Sequence, residues 1–213
     1  MDRAGEIAGL GEQARQAFEE KHRAREITIA ASRRAIQACA ASIRATHRGE
    51  FDAAAHLAAE ARDHLREADD ALIGQPDVRT NGPLHDAKKE LAEAWLTLAL
   101  VRNEALPTPE DLHIDIAAYC NGLAEAASEL RRQLLDRLRQ GETARAEELM
   151  GAMDEIYSLL VTVDYPDGVT GGLRRTTDAL RAVLERARGD LTTAMVASRL
   201  QAALEAARDA AGG

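Results

Sequence analysis

Apolar residues recur every three or four positions along nearly the whole chain, and this spacing predicts amphipathic helices. No stretch alternates as a strand would. The predicted helices cover residues 12–47, 51–72, 83–103, 114–139, 142–163, 173–188 and 191 to near the end, with one short helical turn at Thr108-Pro109. The pattern therefore predicts an all-α protein of about seven helices.

Glycine and proline mark the predicted ends of these helices. Gly49 follows the first helix at the position where a left-handed residue commonly ends one. Gly9 and Gly11 are expected to break the helix before residue 12, and Gly189 to kink or dent the last helical pattern. Because the connections are short, we expect one domain over residues 1–213, with 210–213 as a frayed tail.

Composition supports a helical protein and indicates its compartment. Alanine, leucine, glutamate and arginine dominate the 213 residues, and aromatic residues make up 3%. No apolar run is long enough to cross a membrane, and the first residues do not resemble a signal peptide. Cys39 and Cys120 both lie within helical pattern and are expected to be reduced. We therefore expect a cytoplasmic protein with no membrane partner.

Charge is unevenly distributed, although the net charge is −9. Residues 21–48 hold seven lysines and arginines against one acid, Glu26. On a helix, an apolar stripe of Phe18, Ile29, Ile36 and Ile43 would pack, and the arginines would fall within roughly 80° of one another on a neighbouring side. This arginine row is Arg23, Arg33, Arg34, Arg44 and Arg48. It suits phosphate recognition, or it is a solvated face paired with acidic helices of the same protein.

Two of the predicted helices each carry a pair of glutamates. Glu90 and Glu93 are three residues apart, and Glu125 and Glu129 are four apart, so each pair shares one helix face. Two such helices side by side would bring four carboxylates to a hard cation such as Mg²⁺. Solvated glutamates on outer faces are the alternative. Ala118, Gly122 and Ala126 border Glu125, and such small residues would let a second backbone come close.

Several segments, in order along the chain, resemble one known family. The segments are Arg25-Glu26, Ser32-Arg33, Ile36, Ser42-Ile43-Arg44, His47-Arg48-Gly49, Glu90-Leu91-Ala92-Glu93-Ala94, Tyr119, Gly122-Leu123-Ala124, Glu129-Leu130-Arg131-Arg132, Leu173-Arg174-Arg175, Asp178 and Glu185. Together they resemble the translin family, which comprises translin, translin-associated factor X and compact archaeal relatives.

The resemblance implies a helical fold that assembles into a closed homo-oligomer, an octamer, and binds single-stranded RNA or DNA. In the factor X branch it implies an endoribonuclease that depends on Mg²⁺ (or Mn²⁺). Carried over by position, the metal-binding and catalytic residues are Glu90, Glu93, Glu125 and Glu129. The arginine row and His47 are the expected nucleic-acid contacts, or His47 makes a structural contact at its helix end.

The chain departs from the nuclease pattern at three positions. Glu125 stands where the nuclease branch has aspartate, Ser128 replaces a glycine and Leu91 replaces a tyrosine. The ligand arm at position 125 is therefore one methylene longer, and Mg²⁺ is sensitive to ligand reach. A non-catalytic scaffold that binds single-stranded RNA or DNA is thus the alternative to an endoribonuclease.

Overall fold

The computed structural model describes residues 2–75, 77–78 and 81–212; Met1, Pro76, Arg79, Thr80 and Gly213 lie outside the described residues. Within those ranges all regular secondary structure is α-helical, with six long helices and two single turns. The helices are α1 (Arg3–His47), α2 (Phe51–Ala71), α3 (Asn81–Arg102), α4 (Pro109–Leu112), α5 (Ile116–Arg139), α6 (Thr143–Leu160), α7 (Asp167–Thr170) and α8 (Leu173–Gly212). The predicted all-α fold is confirmed.

Helices α3 and α5 form the centre of the bundle and pack against each other. Helices α1 and α2 pack together and cover α3, whereas α6 and α8 cover α5. Much of the core consists of alanines such as Ala31, Ala35, Ala92 and Ala126, all fully buried. Small side chains let helices approach closely, which brings polar groups on neighbouring helices within reach of one another.

Helix α1 begins earlier than the glycine pattern predicts. It starts at Arg3, where the Asp2 carboxylate accepts a hydrogen bond from the Gly5 N–H, and it continues through Gly9 and Gly11. A side chain at position 9 would meet no neighbouring atom. Gly9 therefore lowers helix stability only by the amount usual for a glycine in an exposed helix. The predicted break before residue 12 is therefore wrong.

The other end of α1 follows the sequence prediction. Gly49 has φ +77°, and the backbone N–H groups of Gly49 and Glu50 donate to the carbonyls of Thr46 and Ala45, each at 3.0 Å. This is a Schellman ending with glycine at the left-handed position. It fixes the last turn of α1, which carries His47.

The packing face of α1 differs from the predicted apolar stripe. Ile43 is buried as expected, but Phe18 is 70% exposed. The buried face instead uses small residues such as Thr28, Ala31 and Ala35. Phe18 lies in the first part of α1, residues 3–20, where every residue except Gly11 is exposed.

The last helix is longer than predicted. Helix α8 runs through Gly189, which therefore does not separate two helices, and it includes residues 210–212. A one-turn helix, α7, occupies part of the predicted turn at 164–168. It is followed by Gly171 and Gly172 with φ of +63° and +87°. Helix α3 begins at Asn81, two residues before the predicted first helical position.

The predictions for the short helical turn at Thr108 and for the two cysteines agree with the structure. Thr108 caps α4 in a reciprocal capping box with Asp111, as the short turn there required. Cys39 and Cys120 are free thiols. None of the helices in the described ranges combines the length and the apolar character that a bilayer crossing would need.

Candidate metal centre

The position of the centre is set by a close approach of the α3 and α5 backbones. Gly122 of α5 lies against α3 so closely that a Cβ atom there would be 2.5 Å from the Ala92 Cβ and 2.6 Å from the Lys89 carbonyl oxygen. Ala118 and Ala126, one turn to each side, are fully buried. The prediction that small residues around Glu125 admit a second backbone is confirmed.

This contact brings three glutamates together. Carboxylate oxygens of Glu90 and Glu93 from α3 and of Glu125 from α5 lie within 4.8 Å of one another. Glu93 is buried, with 9% of its surface exposed, and the other two are half-buried. The three therefore do not form a solvated outer face, which was the alternative interpretation of their spacing.

The arrangement concentrates negative charge. Burial, and after it the charges of Glu90, Glu125 and Glu129, raises the pKa of Glu93 to about 9. Burial likewise raises the pKa of Glu90, against the opposing effect of Lys89. Carboxylates that repel one another in a poorly hydrated site favour uptake of a proton or of a cation.

Lys89 is the ammonium group nearest to these acids. Its Nζ donates a hydrogen bond to Oε1 of Glu125 at 2.8 Å and lies 3.7 Å from Oε1 of Glu90. Burial lowers the pKa of Lys89, but the hydrogen bond and charge of Glu125 and the charges of Glu90 and Glu93 outweigh it and raise that pKa. Lys89 thus compensates part of the charge of the cluster.

Glu129 is close to the cluster but has a different partner. Its Oε2 lies 2.5 Å from Nε2 of His47, and Nδ1 of His47 lies 3.2 Å from the side-chain nitrogen of Gln133. Both contacts are satisfied when the Gln133 amide donates to Nδ1 and the His47 Nε2–H donates to Glu129. The His47 side chain is only 4% exposed. His47 therefore makes a structural contact that orients Glu129.

The arginine row of α1 is exposed, and several members are ion-paired. Arg34 contacts Glu67 at 2.6 Å, Arg48 contacts Glu50 at 2.5 Å, and Arg23 lies 3.7 Å from Glu19. Arg33 and Arg44 form no salt bridge with any described residue. Arg44 is exposed and lies three residues before His47, so the two side chains leave α1 about 60° apart.

Sequence reasoning missed two residues of this site. Lys89 lies four residues before Glu93 on the same helix face, a spacing that predicts an ion pair and could have revealed it. Gln133 lies four residues after Glu129, so the same rule places it beside that glutamate. Their roles follow only when α1, α3 and α5 are seen together.

Comparison with solved structures gives close matches along most of the chain. The crystal structure of AfC3PO matches with a TM-score of 0.79 and 32% identity, covering 87% of this chain and 97% of that one. The structure of the AfC3PO–duplex RNA complex matches with the same TM-score and 31% identity, covering 87% and 96%. Apo-NeC3PO, at 18% identity and a TM-score of 0.70 over 88% and 96%, shares the fold.

A curated relative also matches. An uncharacterized protein of Methanocaldococcus jannaschii is 28% identical over 178 residues, which are 81% of this chain and 77% of that protein. No family model matches the chain.

The fold and the site together define a class: a helical bundle with three carboxylates gathered between its two central helices. The likeness to the AfC3PO structures identifies the family within that class. The chain belongs to the translin family.

Proposed function

We propose that this protein is a Mg²⁺-dependent endoribonuclease that cleaves single-stranded RNA inside a closed homo-oligomer. The observation that carries the proposal is the convergence of Glu90, Glu93 and Glu125, whose carboxylate oxygens lie within 4.8 Å of one another. The related AfC3PO structure contains duplex RNA, which supports RNA as the ligand class.

The residues fit a hard divalent cation. All three converging side chains offer carboxylate oxygens, which Mg²⁺ and Mn²⁺ prefer as ligands. Burial and the neighbouring carboxylates raise the pKa of Glu93 to about 9, and a bound cation would compensate the negative charge of the cluster. Glu129 is the fourth candidate ligand, since its Oε1 accepts no hydrogen bond from a described residue.

Each side chain has a role in the proposed hydrolysis. A bound divalent ion would supply an acidified water and charge compensation at the scissile phosphate. Glu90, Glu93 and Glu125 would hold the ion, and Glu93 would have to be deprotonated to act as a ligand. His47 keeps the Glu129 carboxylate oriented toward the centre, and Lys89 is placed to attract the phosphate while it neutralises part of the acidic cluster.

The exposed arginines of α1 are the proposed RNA contacts on one side of the centre. Arg33 and Arg44 are free of ion pairs with described residues, so their guanidinium groups are available to phosphate. Arg23, Arg34 and Arg48 would have to exchange glutamate partners for phosphate. These contacts carry no base preference, and single-stranded DNA would bind in the same way.

The proposed oligomer, an octamer, is supported by apolar residues at two helix ends. Ile7, Leu10, Ala14 and Phe18 form an exposed stripe at the start of α1. Val196, Leu200 and Leu204 form a second stripe along the last part of α8. Helix faces of this kind gain stability when another helix covers them.

One observation favours the alternative, a non-catalytic scaffold that binds single-stranded nucleic acid. The Lys89 ammonium already donates a hydrogen bond to Oε1 of Glu125 at 2.8 Å. Glu125 is also the position where the nuclease branch has the shorter aspartate. A cluster neutralised by its own lysine could bind RNA near it without holding a divalent ion.

Cleavage of a labelled single-stranded RNA in Mg²⁺ or Mn²⁺ tests the proposal. We expect cleavage by the wild type, none in EDTA, and a large loss in Glu93→Gln. Glu147→Gln, which changes an exposed glutamate of α6, is the matched control and should cleave like the wild type. RNA binding without cleavage by the wild type would establish the scaffold instead.

A further inference from the structure

Two acids of α5, Glu125 of the acidic centre and the neighbouring Glu129, border a groove between α5 and α8. One cavity, of about 260 Å³, is lined by Lys89 and Glu125 on one wall and by Arg175 on the α8 wall. A second cavity, of about 680 Å³, is lined by Glu129, Arg132 and Arg186. Ser128 lines both, so the two cavities adjoin between Glu125 and Glu129.

The periodicity of both helices explains why the groove is continuous. On α5, Glu125, Arg132 and Arg139 are spaced by seven residues and therefore project from one face. On α8, Arg175 and Arg186 lie on one face, with Ala179 and Val183 between them. Small and apolar residues thus line the middle of the groove, and arginines lie at both of its ends.

Three of these arginines are unneutralised. Arg132, Arg175 and Arg186 are exposed and form no salt bridge with a described residue. In the same groove, Arg131 is paired with Asp190 at 2.6 Å and Arg139 with Asp136 at 3.0 Å. Free guanidinium groups in a cleft attract phosphate, which they can bind through two parallel hydrogen bonds.

Electrostatics indicates what the arginines do. A phosphate chain that approaches four glutamates meets repulsion, and cations on both sides of the acids would offset it. We propose that the α5–α8 groove is the path of the RNA backbone, with Arg175 holding a phosphate on one side of the acidic centre and Arg132 and Arg186 holding phosphates on the other. This inference rests on the proposed RNA-binding function and specifies where the strand runs.

Charge reversal with a matched control tests the path. Arg132→Glu, Arg175→Glu and Arg186→Glu each reverse a groove arginine, and Arg181→Glu reverses an exposed arginine on the opposite face of α8. Binding of a fluorescein-labelled single-stranded RNA is measured in EDTA at several KCl concentrations, so that no cleavage interferes. We expect each groove variant to bind about tenfold more weakly and to lower the salt slope by about one, while Arg181→Glu binds like the wild type.

A second measurement assigns individual phosphates. RNAs that carry one neutral methylphosphonate at successive positions are bound to the wild type and to Arg132→Glu. If Arg132 binds one particular phosphate, a methylphosphonate at that position should weaken binding to the wild type. The same methylphosphonate should not weaken binding to Arg132→Glu any further, because the substitution has already removed that contact. Equal penalties in both proteins at every position would overturn the assignment.

The outcomes separate this inference from the proposed function. Wild-type binding and cleavage, with groove variants that bind like Arg181→Glu, would overturn the groove and leave the function intact. A groove variant with weaker binding and a changed mass by native mass spectrometry would also overturn it, since the arginine would then serve a subunit contact. A wild type that binds no single-stranded RNA would overturn both.

Discussion

The Nε2 atom of His47 lies 2.5 Å from Oε2 of Glu129, and this contact joins the last turn of α1 to the helix that supplies Glu125. The imidazole is almost fully buried, so we expect it to orient Glu129 rather than to contact an RNA strand. His47 instead links the end of the arginine row to the acidic centre. Three helices, α1, α3 and α5, thus contribute to one site.

We expect His47→Ala to lower the cleavage rate by about 10- to 100-fold, the usual effect of losing a residue that orients a metal-binding carboxylate. RNA affinity in EDTA should stay within twofold of wild type, because His47 is buried. His22→Ala, at an exposed histidine of the same helix, is the control. Weakened RNA binding with an unchanged cleavage rate for bound RNA would show that His47 contacts the nucleic acid instead.

Gly122→Ala should separate α3 from α5, because the new Cβ would overlap the Ala92 Cβ and the Lys89 carbonyl oxygen. Overpacking of this kind costs about 1–3 kcal/mol of stability, and we expect divalent-ion affinity to fall as well. Gly151→Ala on α6, where a Cβ meets nothing within 4 Å, should be neutral or stabilising. Urea denaturation and calorimetric Mg²⁺ titration measure the two effects. Wild-type stability in Gly122→Ala would contradict the close approach.

The stability of the metal-free protein should depend on the protonation of Glu93. Its pKa is raised from 4.5 to about 9 on folding, so the stabilising effect of its proton is complete below pH 4.5 and is lost as the pH rises toward 9. In EDTA, the melting temperature of the wild type should therefore fall relative to that of Glu93→Gln between pH 5 and pH 9. A difference that does not change with pH would show that Glu93 is ionised throughout.

Lys89→Met should strengthen divalent-ion binding, since it removes an ammonium group that holds Glu125 and repels a second cation. We expect the Mg²⁺ dissociation constant to fall by about 3- to 10-fold, and the metal-free protein to lose stability as the acids lose their counter-charge. Lys88→Met is the control: Lys88 pairs with Asp69, away from the three acids. Weaker Mg²⁺ binding in Lys89→Met would mean that the lysine helps to assemble the site.

Phe18→Glu and Leu200→Glu should each reduce the mass of the assembly, because a charge on either exposed stripe opposes burial against another subunit. Ile73→Glu changes an equally exposed apolar residue between α2 and α3, outside both stripes, and should leave the mass unchanged. Native mass spectrometry distinguishes these results. An unaltered mass in both stripe variants would place the subunit contacts elsewhere.

The sequence predicted those features that depend on local periodicity. The spacing of apolar residues predicts the helices, and the spacing of the glutamates predicts their pairs. Gly49 ends α1 because glycine adopts the left-handed conformation that lets the following N–H groups donate to the last helical carbonyls. Gly9, Gly11 and Gly189 were misinterpreted because an exposed glycine weakens a helix by about 1 kcal/mol and does not end it when its neighbours are helical.

Individual side-chain contacts between helices could not be predicted from spacing. The hydrogen bond of Lys89 joins residues 36 positions apart, and that of His47 joins residues 82 positions apart. Phe18 was assigned to the core because it continues the period of Ile29 and Ile36, but no helix covers that part of α1 in the single chain. Helical spacing identifies a face without identifying what lies against it.

The contact at Gly122 has a consequence for redesign of this fold. At Gly122 the approach of α5 to α3 is limited by the Ala92 Cβ and by backbone atoms of Lys89 and Glu93, and no leucine is among these nearest neighbours. Exchanges such as Leu96→Met or Leu130→Ile could therefore be used to tune the thermal tolerance of the bundle while the carboxylates keep their separation. The unit to preserve in such a redesign comprises α3, α5 and the last turn of α1, which carries His47.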